Sequence, residues 1–150
     1  MHGRGVTRSE ALRAVPVFHE LGFTSLLISY RNDGEAPASD DGRYSLGDAE
    51  WRDLEAAVRF AREQRAQRIL VMGWSMGGAS TLQFVTRSEL SSAVEGIILE
   101  SPVVDWIRVL HAQAAQQQIG RDQQQCRFHQ GEHADDQRHV PPESKGEYLD

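Results

Sequence analysis

The chain has 150 residues, 39% of them hydrophobic, and a formal net charge of -6. Its length fits one domain with one core, and its acidic balance without clustered Lys and Arg argues against nucleic acid or anionic membrane as a partner. The single cysteine, Cys126, excludes an intrachain disulfide framework and suits a reducing compartment. No apolar run has the length of a membrane span or forms the core of a signal peptide. We therefore expect a soluble, cytoplasmic protein.

The first predicted element is a helix that begins at Thr7. Thr7-Arg8-Ser9-Glu10 has the capping-box pattern, in which the Thr7 hydroxyl and the Glu10 carboxylate satisfy each other's backbone amides. Pro16 is expected to kink the segment, and Gly22 is expected to end it.

The elements that follow alternate between strands and helices. In chain order they are a strand over 23–30, a loop over 31–43, an amphipathic helix within 48–67, a strand over 69–72, a helix over 76–86 and a strand over 94–99. Such alternation predicts an α/β fold, a three-layer αβα arrangement with a parallel sheet and right-handed crossovers.

A change of composition follows Leu110. Residues 111–150 are rich in Gln and His and contain few side chains that could form a core. The sequence thus predicts a core fragment over 1–110 and a polar, disordered tail over 111–150.

The strongest chemical signal is Gly73-Trp74-Ser75-Met76-Gly77, which matches G-x-S-x-G between a predicted strand and a predicted helix. In that context the serine sits on a strained turn with its hydroxyl above the sheet, and the amide of Met76 faces an oxyanion. Ser75 is the candidate nucleophile. The alternative is a Gly-Ser turn without chemistry.

A second turn, His2-Gly3-Arg4-Gly5, lies about seventy residues upstream of the serine. It resembles the His-Gly-x-Gly turn that supplies the other oxyanion amide in α/β-hydrolases, which makes the Arg4 amide the candidate donor. The alternative is a plain N-terminal turn.

These two turns, together with Ser29-Tyr30-Arg31-Asn32-Asp33-Gly34 and Glu100-Ser101-Pro102-Val103-Val104-Asp105-Trp106, resemble bacterial α/β-hydrolases over about residues 1–110. The chain looks closest to the esterase- and peptidase-like group related to prolyl oligopeptidases and to the BEM46-type hydrolases. The resemblance implies hydrolysis of an ester, thioester or amide in a small-molecule or peptide substrate, through an acyl-enzyme on the serine. It implies no metal and no organic cofactor.

Two departures from the family pattern suggest a chain that is short at both ends. The resemblance places a further strand between those at 23–30 and 69–73, but only Met1 precedes the His-Gly turn that should end it, so backbone groups are expected to lack partners. At the other end the triad acid and histidine are not evident. Asp105 is a candidate acid, with a strand-end Asp as the alternative, and the nominal bases are His111, His129, His133 and His139.

Two other functions compete with an active serine hydrolase. The first is a catalytically inactive, truncated hydrolase, because loss of the triad histidine costs on the order of a million-fold in turnover. The second is a zinc-binding module in the tail, formed by Cys126, His129, His133 and His139. Histidines scattered by chance in a polar tail are the simpler explanation, so no metal site is expected.

Overall fold

A computed structural model describes residues 1–118 of the chain. The chain divides into two compact units, Met1–Trp106 and Ile107–Asp150. Residues 106–118 are helical, so the predicted polar tail begins within a helix. The rest of that predicted tail, with Cys126, His129, His133 and His139, lies outside the described residues.

The sheet of the first unit has two parallel strands, β1 (Leu70–Trp74) and β2 (Gly96–Glu100), paired with Gly73 opposite Leu99. They are joined by the α3 helix (Met76–Arg87) and a short 3-10 helix (Glu89–Ala93). Before the sheet lie a 3-10 helix (Arg8–Ala14), α1 (Val15–Glu20) and α2 (Trp51–Glu63). The predicted strand–helix–strand crossover is therefore present, with its bounds shifted by one or two residues.

The hydrophobic core lies between α2, β1 and α3. Leu54 and Val58 of α2, Val71 of β1 and Phe84 of α3 form one buried cluster, each no more than 5% exposed. Leu54 and Val58 belong to the amphipathic helix that the sequence predicts within 48–67, and its apolar face is the one that packs on the core. Full burial of side chains this size contributes roughly 1.5–3 kcal/mol each, so the cluster anchors the strand on which the candidate site is built.

The predicted strand over 23–30 is wrong, because those residues belong to no sheet in the described chain. The segment is held at its ends by side chains instead. The Arg68 guanidinium lies 5.4 Å from the ring centre of Phe23, and Arg31 donates to both carboxylate oxygens of Asp53 on α2, at 2.8 and 2.9 Å. A strand needs a backbone partner alongside it, and within residues 1–118 no other strand pairs with this segment.

Met1 makes the two hydrogen bonds of a one-residue parallel strand. Its amino group donates to the Met72 carbonyl at 2.5 Å, and its carbonyl accepts from the Trp74 amide at 3.1 Å. This is the pairing pattern of a residue that lies opposite Gly73 in a parallel ladder. Among the described residues, Met1 is the one residue that pairs with this edge of β1.

The predicted capping box does not form, although a helical segment does begin after Thr7. That segment is a 3-10 helix, the Thr7 hydroxyl contacts the Ser9 hydroxyl, and no side chain caps the first turn. The Glu10 carboxylate instead accepts a hydrogen bond from the Gly3 amide at 3.0 Å. A buried turn competes more strongly for the carboxylate than an exposed helix end does.

Gly22 ends α1 as predicted. Its φ is +81°, its amide donates to the His19 carbonyl, and the Phe23 amide donates to the Phe18 carbonyl, which is a Schellman-type cap.

We expect Gly22→Ala to lower the free energy of unfolding by about 1–2 kcal/mol, because an L side chain is strained in this backbone region. A Cβ at Gly22 would meet no atom within 4 Å, so steric overlap adds nothing. Urea denaturation of the variant measures this cost. A stability equal to that of the wild type would contradict the cap.

None of the helices within residues 1–118 combines the length and the apolar character needed to cross a membrane.

Candidate active site

Ser75 lies at the sharp corner between β1 and α3, where the sequence predicts it. Its φ of +48° and ψ of -114° are strained for a residue with a side chain. The corner is fixed on both sides, because the Ser75 amide donates to the Glu100 carbonyl at 3.0 Å and the Ser75 carbonyl accepts from the amides of Ala79 and Val103. The side chain is half-buried, so the hydroxyl is neither enclosed in the core nor placed in mid-helix.

The glycines of the motif are required by close packing. A Cβ at Gly73 would lie 2.6 Å from the Gly77 carbonyl oxygen and 2.7 Å from the Thr81 hydroxyl oxygen. A Cβ at Gly77 would lie 2.6 Å from the His2 carbonyl oxygen and closer still to that of Met1, and one at Gly78 would lie 2.7 Å from the Pro102 Cβ. The motif thus lets α3 approach both the end of β1 and the N-terminal segment.

The two candidate oxyanion turns meet at this corner. Met76 is the first residue of α3 and is fully buried, so its amide lies at the positive end of the helix dipole. The Cβ position of Gly3 is 3.4 Å from the Ser75 Cβ, which brings the turn containing Arg4 against the serine. The Glu10 carboxylate is a further neighbour, with Oε2 3.7 Å from the same Gly3 position. Sequence reasoning assigned Glu10 to a helix cap and missed this contact.

The His2 side chain holds the His-Gly turn in place. Its ring is fully buried and stacks on Tyr30 with centroids 4.2 Å apart. Its Nε2 lies 3.1 Å from the Asp33 carboxylate and its Nδ1 2.9 Å from the Gly3 carbonyl oxygen. Both ring nitrogens of His2 are thus in contact with oxygen atoms of neighbouring residues. His2 therefore fixes the turn, and its ring nitrogens contact Asp33 and Gly3 instead of Ser75.

Asp33 accepts most of the hydrogen bonds in this group of contacts, which we call the brace and which consists of His2, Tyr30 and Asp33. Its carboxylate accepts from the amides of Tyr30, Glu35 and Ala36 at 2.8–3.0 Å as well as from His2. Burial alone would raise the pKa of Asp33, but these donors outweigh it and hold the pKa below its ordinary value of 3.8. The Asn-Asp-Gly run predicted a loop here, but not a buried carboxylate.

The Tyr30 hydroxyl completes the brace by donating to the carbonyls of His2 and Gly3 at 3.1 and 2.8 Å. Burial, with smaller effects from Tyr44 and Asp33, raises the pKa of Tyr30 well above its ordinary value, so the phenol remains a donor. Sequence reasoning placed Tyr30 at a strand end and gave it no role.

A second buried carboxylate fixes the loop before α2. Glu50 is fully buried and accepts from the amides of Ser45 and Gly47 at 2.7 and 2.8 Å. Gly47, with φ of +106°, packs on α3, since a Cβ there would lie 3.2 Å from the Ser80 amide nitrogen. The Trp106 indole donates to the Leu46 carbonyl at 2.7 Å. The loop thus supports the helix that follows the candidate nucleophile.

The described residues do not bring a histidine to Ser75. His2 is engaged as above, while His19 and His111 are exposed, and within residues 1–118 no hydrogen bond to the Ser75 hydroxyl is present. Asp105, the candidate acid, is exposed and directly precedes the helical residues 106–118. No group of three or more potential metal ligands occurs in the part of the chain that the structure describes.

Comparison with protein families gives one match, over residues 12–141, to the model described as the prolyl oligopeptidase family. The matched region includes the serine corner and extends past Leu110 into the glutamine-rich part of the chain. Comparison with curated proteins and with solved structures finds no significant match.

Proposed function

Because the chain belongs to the prolyl oligopeptidase family, within the α/β-hydrolase superfamily, we propose that Ser75 is the nucleophile of a serine hydrolase acting on an ester or amide. The single observation that carries the proposal is the strained backbone of Ser75 between β1 and α3. Such strain is costly, about 1–3 kcal/mol, and is concentrated at functional sites. A turn without chemistry has no need of it.

In this mechanism the Ser75 oxygen forms a bond to the acyl carbon, and the bond from that carbon to the leaving oxygen or nitrogen then breaks. The serine proton passes through a base to the leaving group, and water later releases the acyl group. The amides of Met76 and Arg4 are proposed to stabilise the negative oxygen of the intermediate. The proposed mechanism uses no cofactor. Asp105 is proposed as the acidic residue of the catalytic triad.

Labelling by a fluorophosphonate probe tests the nucleophile. We expect the wild type to form one covalent adduct, located on Ser75 by mass spectrometry, and Ser75→Ala to react at least 100-fold more slowly. Ser92→Ala is the matched control, because Ser92 is an exposed serine of the same unit and should leave the rate unchanged. The reason is that an oxyanion site accelerates attack only by the serine beside it.

The alternative is a catalytically inactive member of the family, favoured by the lack of a hydrogen-bonded base at Ser75 within residues 1–118. It predicts that wild type and Ser75→Ala label equally slowly. That result would remove the active-enzyme proposal and leave family membership intact.

A further inference from the structure

The turn that carries the second proposed oxyanion donor has an adaptable link at Gly3. Gly3 stands between two peptide planes, one shared with His2 and one shared with Arg4. Glycine adopts more backbone conformations than any other residue. A Cβ at this position would meet only ordinary van der Waals distances, the shortest being 3.4 Å to the Ser75 Cβ. Steric contact alone therefore does not set the direction of the peptide that leads to Arg4.

Hydrogen bonds hold the first of these planes at both ends. The His2 carbonyl accepts from the Tyr30 hydroxyl at 3.1 Å, and the Gly3 amide donates to the Glu10 carboxylate at 3.0 Å. Gly3 is buried and Glu10 is half-buried. A hydrogen bond to an ionised acceptor is roughly twice as strong as one between neutral groups. The plane between His2 and Gly3 is therefore fixed in its orientation.

The second plane is held through its carbonyl group. The Gly3 carbonyl oxygen accepts from the Tyr30 hydroxyl at 2.8 Å and lies 2.9 Å from Nδ1 of His2. Because a trans peptide is planar, its N–H points opposite to its C=O. The Arg4 N–H thus points away from the Gly3 carbonyl and from the Tyr30 hydroxyl that holds it. The direction of the Arg4 amide is set by side chains on the other side of the turn.

We propose that Tyr30 and Glu10 are positioning residues that aim the Arg4 amide at the negative oxygen formed when Ser75 attacks its substrate. The inference rests on the proposed function, because it adds two residues to the oxyanion site of that same reaction. Neither side chain has to touch the substrate, since Tyr30 is fully buried and Glu10 acts through the Gly3 amide. An oxyanion donor is effective when its direction is fixed before the charge develops.

Saturation kinetics of fluorophosphonate labelling test the role of Tyr30. In this reaction the Ser75 oxygen bonds to phosphorus, the bond to fluorine breaks, and fluoride and the serine proton are released. We expect Tyr30→Phe to lower the maximal labelling rate constant by about tenfold or more, because an oxyanion donor contributes about 100-fold or more and here is misdirected. The half-saturating probe concentration should change by less than about threefold, because only stabilisation of the developing charge is lost.

Tyr44→Phe is the matched control for this variant. The Tyr44 ring lies edge-on to Tyr30, with centroids 6.3 Å apart, and within residues 1–118 its hydroxyl makes no hydrogen bond to the His-Gly turn. It should label with the wild-type rate constant. Circular dichroism establishes that each variant is folded, and a folded variant that has only lost stability would keep the wild-type rate constant.

Two variants of Glu10 give an independent test if Tyr30→Phe folds poorly. Glu10→Ala removes the acceptor of the Gly3 amide, so we expect a maximal rate constant lower by about tenfold or more, with the half-saturating concentration unchanged. Glu10→Gln keeps an oxygen acceptor and should restore the rate constant to within about threefold of the wild type.

The proposal is overturned by wild-type rate constants in folded Tyr30→Phe or Glu10→Ala, by an equal loss in Tyr44→Phe, or by failure of Glu10→Gln to restore the rate. In each of these outcomes the wild type still labels faster than Ser75→Ala, so the proposed function stands. Equal labelling of the wild type and Ser75→Ala would instead remove the proposed function, and both positioning roles with it.

Discussion

Gly77→Ala is expected to destabilise the fold by about 3 kcal/mol or more, although alanine normally stabilises a helix relative to glycine by up to about 1 kcal/mol. The new methyl group would overlap the carbonyl oxygens of Met1 and His2, and both belong to backbone that the sheet edge and the Tyr30 hydroxyl hold in place. The helix must therefore move away from the N-terminal segment. Urea denaturation followed by circular dichroism measures the loss.

Gly96→Ala is the matched control for this prediction. A Cβ at Gly96 would lie 3.1 Å from Cδ2 of Leu70, the mobile end of a side chain, so we expect a change within about 1 kcal/mol. If Gly77→Ala is as stable as the wild type, the close approach of α3 to the N-terminal segment is wrong.

The second large effect is expected for Asp33→Asn, which should lower the free energy of unfolding by about 3 kcal/mol. The carboxylate accepts from three backbone amides and from His2, with both oxygens used, so an amide group in place of either oxygen faces donors. Buried donors left unpaired cost about 1–3 kcal/mol each, less what relaxation recovers. Thermal and urea denaturation at neutral pH measure the loss.

The same prediction has a pH signature. Because the pKa of Asp33 is lowered by folding, its contribution is fully present above the unfolded pKa near 3.8 and is lost as the pH falls through the lowered value. The wild type should therefore lose more stability than Asp33→Asn on acidification below about pH 4. Asp40→Asn, an exposed change in the same loop, should leave the wild-type pH profile unaltered. Parallel pH profiles for wild type and Asp33→Asn would contradict the brace.

Local sequence patterns were sufficient to predict those elements whose structure depends on residues close together in the chain. The helical spacing of Leu54 and Val58 predicts the buried face of α2, and Gly22 predicts the end of α1, because each depends on neighbours a few residues away. The G-x-S-x-G pattern likewise predicts the corner at Ser75, since its glycines and its place between strand and helix are visible in the sequence.

Long-range pairing explains where the sequence misled. The apolar run over 23–30 is typical of a buried strand, yet a strand forms only with a backbone partner, and no other strand in the described part of the chain pairs with this run. Glu10 reads as a capping residue, but the Gly3 amide takes its carboxylate. In both cases local propensity was outweighed by what lies alongside in space.

The serine corner, the parallel strand–helix–strand unit around it and the end of the first helix could all be predicted from the sequence, because they depend on short-range sterics and hydrophobic spacing. The buried brace of His2, Tyr30 and Asp33 and the pairing of Met1 with β1 became visible only in the folded chain. Those contacts join residues about thirty to seventy positions apart. Such contacts form only when distant parts of the chain meet and become buried, so no local sequence pattern predicts them.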